Sequence, residues 1–337
     1  MVSIKDVAKQ AGVAISTVSK VLNNYPNVTE ATKNKVNRAI KELNYVPNSI
    51  AAALSSKHSG RVALLMDPVR ETRGADQIYM EYILGALDSA RELGIDAVTV
   101  FFSMLENMTV DDITRYLRSQ GVQAIVVFGL SQETKVIRNL IQEEDFFTVV
   151  VDAPFVTDGI TSVGIDHTEA QYQVAVKTIK ENPGSVQPGE SAPSVLYIAG
   201  RGADYTTADR TKGMKKAAEE LNVSLSIRYG DFSEAKAGSI ARVTGRDKDF
   251  IICASDLMAI GAVNALKETG RNIPVCGFDG IALMAYAGCD MNTVRQDFYE
   301  IANTAVKEAK RLMDGEKGRQ VVMPHRIVRM AYSDIVK

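Results

Sequence analysis

The chain has 337 residues, 46% apolar and 24% charged, with a formal net charge of −2: ordinary composition for a folded protein, and too long for one small domain. No apolar run approaches the roughly 18 residues of a membrane span, and the opening MVSIKDVAKQ lacks the apolar core of a secretory signal, so a cytoplasmic chain without a membrane partner is expected. Cys253, Cys276 and Cys289, like His58, His167 and His325, are too dispersed for a local metal or redox motif, so reduced thiols, no metal and no cofactor are expected.

Charge is unevenly spread. Residues 1–60 carry eight Lys/Arg against Asp6, Glu30 and Glu42, a net +5 that leaves −7 for the rest. A small basic head on an acidic body suggests that only the head meets a polyanion. Within the head, Ser3 and Asp6 have capping-box spacing, and Ile4, Val7, Ala8 and Ala11 make an i, i+3, i+4, i+7 stripe ended by Gly12. A second helix runs from Ile15 to about Leu22 with Val18, Val21 and Leu22 on its inner face. Thr29 caps a third, striped by Val36, Ala39, Ile40 and Leu43. Three short amphipathic helices with a tight turn between the first two describe a helix-turn-helix unit over residues 1–46. The outer ridge of its second helix is then free for a major groove. There Ile15 can touch a thymine methyl, Ser16 a base or phosphate, and Lys20 a guanine edge or phosphate.

The stretches IKDVAKQAGVAISTVSKVLNN and VTEATKNKVNRAIKELNYVPN strongly resemble the lac repressor (LacI/GalR) family. The resemblance implies that Ile15, Ser16 and Lys20 read bases, with Thr17, Ser19, Asn23 and Thr29 as further contacts to double-stranded DNA. Two positions depart from the family pattern. Ala14 stands where a capping serine is usual, and Lys20 replaces an arginine and with it the bidentate fork. Residues 47–60, PNSIAAALSSKHSG, can form a two-turn helix that is marginal alone. The resemblance makes it a hinge helix that pairs in the minor groove with Leu54 as the wedge.

From Arg61 short apolar runs alternate with helical stretches, in two series: VALLMD, DAVTVFF, AIVVFG and FTVVVD, then SVLYIAG, SIRYGD, DFIICAS and VCGFD. This is the grammar of parallel sheets covered by helices. The expected body is thus α/β, two similar parallel-sheet lobes, and the resemblance makes it periplasmic-binding-protein-like, type I. Ligands of such folds sit at the carboxyl ends of strands. Asp67, Asp152, Asp231, Asp256 and Asp279 recur there, and carboxylates suit hydroxyl-rich ligands, although a strand-end Asp can equally cap the next helix. Matches at ADRTKGMKKA, ASDLMAIGAVNAL, GFD and TVRQD imply that Arg210 and Asp279 bind an effector, with Asp67, Tyr79, Phe232 and Asp256 as further candidates. The family pattern also implies an amino-terminal lobe of about 61–158 and 291–319 and a second lobe of about 159–290 and 320–337, joined by three crossings.

The expected function is a homodimeric transcriptional regulator, a repressor, binding a palindromic operator under control of a small effector. A carbohydrate or sugar phosphate leads as effector and a purine or nucleoside is second; inducer and corepressor action are both open. The chain ends soon after RIVRMAYSDIV without a heptad tail for tetramer formation. Two other classes compete. An enzyme on a nucleotide fold could use AGRGADYT as a phosphate loop, but Gly200 and Gly202 lack the third glycine and no nucleophile–base set is evident, so no catalytic residue is assigned. A transport-type solute receptor would suit the body but not the head.

Overall fold

The computed structural model describes residues 3–22, 28–43, 60–67, 76–183 and 192–332. The chain divides into a head and a body at the Gly60/Arg61 junction.

In the head, α1 (Ile4–Ala11), α2 (Ile15–Leu22) and α3 (Glu30–Glu42) follow the periodicity. The Asp6 carboxylate accepts from the backbone N–H and the hydroxyl of Ser3, at 2.9 and 2.7 Å. Gly12, at φ 66°, ends α1 in the left-handed conformation a side chain would resist. Val7, Ala8, Val18, Val21, Val36 and Ala39 form the core, with Ile4, Ala11, Leu22, Ile40 and Leu43 packed around it. At the start of α2, Ala14 supplies only its carbonyl, which accepts from Thr17 and Val18 at 2.9 and 3.2 Å. An Ala14→Ser variant adds the missing side-chain acceptor and is expected to stabilise the head by about 1 kcal/mol, read as a rise in its melting temperature.

The body holds two six-stranded sheets. The first is ordered β11-β5-β4-β3-β1-β2, from β1 (Arg61–Met66), β2 (Asp96–Phe101), β3 (Val122–Phe128), β4 (Phe147–Val151), β5 (Ile160–Ile165) and β11 (Gln320–Met323), all parallel. The second repeats that order as β12-β10-β9-β8-β6-β7, from β6 (Ser194–Ala199), β7 (Ser224–Tyr229), β8 (Phe250–Cys253), β9 (Val275–Cys276), β10 (Met291–Arg295) and β12 (Arg326–Met330). Only its edge strand β12 runs antiparallel. Central runs such as Val62–Met66 and Val195–Ala199 are fully buried, as strands covered on both faces must be.

Helices α4 (Asp76–Leu93), α5 (Val110–Ser119) and α6 (Lys135–Gln142) belong to the first lobe. The second lobe takes α7 (His167–Glu181), α8 (Tyr205–Glu220), α9 (Glu234–Thr244) and α10 (Asp256–Glu268). The last helix, α11 (Phe298–Met313), returns to the first lobe and packs on α4, β3 and β4.

The three crossings between lobes each lie one strand later than the family pattern suggested. β5 pairs with β4, so residues 160–165 belong to the first lobe and not the second. β10 pairs with β9 and β12, so 291–295 belong to the second lobe. β11 pairs with β5, so 320–323 return to the first. Sheet membership is decided by these non-local pairings. The expected hinge helix with its Leu54, and the expected contact Asn23, lie outside the described residues.

Candidate DNA-reading helix and ligand cleft

On α2 the inner face is buried and the outer ridge is not. Ile15 is 44% exposed, so its methyl groups are open to a partner. Ser16 and Lys20 are exposed, and Thr17 and Ser19 half-buried. Thr29 is occupied as the cap of α3, its hydroxyl accepting from the Thr32 N–H at 3.4 Å.

In the body, the carboxyl ends of both sheets face one cavity of about 1010 Å³, its open mouth included. The first lobe contributes Tyr79, Tyr82, Phe128 and Asp152, and the second Arg201, Asp204, Arg210, Phe232, Asp279 and Gln296. The lobes touch around it. The Gln132 N–H donates to the Ala203 carbonyl at 2.9 Å, the Ala282 N–H donates to Gln77 Oε1 at 3.0 Å, and Phe155 meets Tyr205 edge-on at 5.6 Å.

Arg210 is the hub. It is 5% exposed; its Nε donates to His167 Nδ1 at 3.3 Å, and Nη1 donates to the Ala254 carbonyl and lies 3.5 Å from Asp279 Oδ1. The guanidinium lies 3.7 Å from the Phe278 ring centroid, a cation–π contact that fixes its plane. Gln296 Nε2 donates to Asp279 at 3.1 Å. At the rim Arg201 pairs with Asp204 at 3.0 Å. Opposite, Tyr82 packs on Phe128 and Phe298, with centroids 4.7 and 5.4 Å apart, an apolar wall on which a ring could lie.

Three wall residues, and Asp231 next to one of them, sit in strained backbone. Asp152, Asp231 and Phe232 have φ of 57°, 55° and 60°, and Asp279 has φ 127°. Non-glycine residues there cost on the order of 1–3 kcal/mol each and cluster at functional sites. Gly200, read from sequence as part of a possible phosphate loop, has another use: a Cβ there would lie 2.1 Å from the Phe232 ring. It lets that ring close over the strand end.

Of the residues singled out from sequence, Tyr79, Arg210, Phe232 and Asp279 line this cavity. Asp67 does not: it lines a neighbouring first-lobe pocket, while its carbonyl accepts from the Tyr79 hydroxyl at 2.6 Å. Asp256 lies outside the lining as well. It is fully buried and accepts from Thr293 Oγ1 at 2.6 Å and from the N–H groups of Gly280 and Ile281 at 2.8 and 2.9 Å. Its carboxylate therefore holds the loop that presents Asp279, and Ser255 caps α10 in its place. The sequence marks Asp152 only as one of several strand-end carboxylates, and Arg201, Asp204 and Gln296 not at all as ligand contacts. The strand-end position of Asp152 and the TVRQD match containing Gln296 were the available signals.

Burial raises the carboxyl pKa of both Asp256 and Asp279, against the lowering pull of their hydrogen bonds and of Arg210. The native chain then holds protons that the unfolded chain loses above about pH 4. This contribution to stability is complete below that value and is lost as pH rises through the raised folded values. The fall in melting temperature between about pH 5 and about pH 8 is expected to be smaller in Asp279→Asn than in the natural protein; an equal fall would contradict the shift.

A head of helix-turn-helix form and a two-lobed body with a ligand cleft, carried on one chain, define a ligand-responsive transcriptional regulator. Residues 3–48 match the model for bacterial regulatory proteins of the lacI family, and residues 73–317 that for the periplasmic binding protein domain. The HTH-type transcriptional regulator RegA of Clostridium saccharobutylicum is 30% identical, over 93% of this chain and 92% of its own. Among solved structures, the lac repressor dimer bound to operator and the anti-inducer ONPF matches with a TM-score of 0.79 at 23% identity, over 98% of each chain. The transcriptional regulator CelR–cellobiose complex matches with a TM-score of 0.69 at 24% identity, over 98% of this chain and 100% of that one. The chain belongs to the lacI family of bacterial regulatory proteins. Among the described residues, no helix is long and apolar enough to cross a membrane.

Proposed function

We propose that this regulator is a repressor whose operator binding is controlled by a carbohydrate held between the lobes. The observation that carries the reading is the convergence of Asp152, Asp279, Gln296 and the Arg210 fork opposite an aromatic wall. Carboxylates and a guanidinium offer many directional bonds to hydroxyl groups, and the aromatic rings take the apolar face of a sugar ring. Cellobiose in the CelR complex supports the same class of ligand.

The DNA contacts proposed are Ile15, Ser16 and Lys20, flanked by Thr17, Ser19 and Thr29. The protein acts as a homodimer on a palindromic duplex, in the cytoplasm where that duplex lies. The operator-bound lac repressor dimer supports the assembly. So does an apolar stripe on α4, where Met80, Leu84 and Leu87 are 56%, 49% and 45% exposed at i, i+4 and i+7. The hydrogen bond from Ala282 to Gln77 brings a second exposed group, Leu283 and Tyr286, next to it.

A thermal-shift screen of the full chain against sugars, sugar phosphates and nucleobases tests the reading. Each hit is then titrated against binding to the gene's own upstream region. A sugar that stabilises the protein and changes that binding is expected. A nucleobase doing so alone would replace the carbohydrate, and hits without effect on DNA binding would contradict effector control.

A further inference from the structure

His167 stands where the chain first passes between lobes, as the opening residue of α7 just beyond β5. It is 5% exposed and does not line the cavity, yet both ring nitrogens face groups that do. Nδ1 accepts from Arg210 Nε at 3.3 Å, and Nε2 lies 2.9 Å from Asp152 Oδ1. The ring also stacks on Phe278, centroids 5.7 Å apart, the same ring that carries the Arg210 guanidinium.

Arg210 Nε has only a hydrogen to offer, so Nδ1 must present its lone pair. The hydrogen of a neutral imidazole then sits on Nε2, toward Asp152. Asp152 is then the nearest acceptor for that hydrogen, a close contact and not a formed hydrogen bond. Asp152 ends a first-lobe strand, whereas Arg210 and Phe278 belong to the second lobe. The imidazole thus stands between Asp152 of the first lobe and Arg210 of the second, bonded to Arg210, which pairs in turn with Asp279, and in close contact with Asp152. The backbone accommodates this contact. Asp152 adopts φ 57°, and a Cβ at Gly164 would lie 2.3 Å from Asp152 Oδ1, so a side chain there would expel the carboxylate.

We propose that His167 is the positioning residue that couples effector binding to the angle between the lobes. A molecule that draws on Arg210 or Asp152 acts on the same imidazole, whose two nitrogens face groups of different lobes. That gives a ligand the difference between states it needs in order to shift them. The proposal rests on the effector reading above, but its test needs no effector.

Nitrogen NMR of the full chain with labelled histidine is the first measurement; there are three histidines, and the substitutions below assign the signal. An Nε2–H tautomer is expected at neutral pH. An Nδ1–H tautomer or a doubly protonated ring would overturn the proposal. His167→Asn keeps an oxygen near the Nδ1 position and gives up Asp152; His167→Gln keeps an amide near Nε2 and gives up Arg210. In both, the cross-lobe amides of Gln132 and Ala282 are expected to exchange about tenfold faster or more, while Val126 and Ile198 within the sheets keep their rates. Unchanged cross-lobe amides would refute the coupling, and equal acceleration throughout would reduce His167 to a packing residue. Failure here leaves the carbohydrate reading standing, and a sugar screen without hits removes the carbohydrate while leaving the cross-lobe role of His167 to these measurements.

Discussion

Replacing Arg210 by alanine is expected to leave the protein able to bind its duplex but insensitive to its effector. Arg210 is the one cavity residue that touches Asp279, His167, the Ala254 carbonyl and the Phe278 ring together. Charge-assisted hydrogen bonds contribute about 1.5–3 kcal/mol each. Losing those to the ligand alone lowers effector affinity by about ten- to a hundredfold or more. Removing one side of a buried charge pair also costs about 3–5 kcal/mol of stability, softened here because Asp279 already tends to hold its proton. Arg210→Lys keeps the charge without the fork and should recover stability better than response. The checks are calorimetric titration with the screened effector and duplex binding with and without it. A variant that responds normally would remove Arg210 from the site.

Leu84→Lys is expected to separate the dimer. Leu84 lies at the centre of the exposed α4 stripe, so in a twofold contact each copy would bring a lysine to the same patch. Burying unpaired like charges is prohibitive. Two linked heads gain on the order of 10²–10⁴ in affinity over one, so operator binding should fall by about that factor while the body keeps its fold and its effector. Sedimentation velocity and duplex titration would show this. A variant that remains dimeric with unchanged binding would place the interface elsewhere.

The head was legible because everything that determines it is local. The Ser3–Asp6 box, the Thr29 cap and three apolar stripes are each read within a dozen residues, and each helix begins and ends where those signals fall. The body was legible as a class because fully buried strands read as continuous apolar runs. Its lobe boundaries were not, since ITSVGI carries no local mark of which sheet it will join; that is fixed by pairing with β4 and β11. Asp256 shows the same limit at the site. A strand-end carboxylate looks alike whether it faces a ligand or ties down a loop, and only the approach of Gly280, Ile281 and Thr293 distinguishes the two. His167 was read as one of three scattered histidines because its partners lie on β4 and α8, far away in sequence.

The central claim, that side chains at positions 15, 16 and 20 read base edges, is tested most directly by selecting preferred duplexes from a randomised pool. The pool is applied to the natural protein and to a variant with Ile15→Ala, Ser16→Ala and Lys20→Ala. Each lost base contact is worth about 1–3 kcal/mol of discrimination. The natural protein should return a palindromic motif, and the variant should lose that preference while keeping weak, salt-sensitive binding through phosphate contacts. The same motif at the same strength from both proteins would contradict the account.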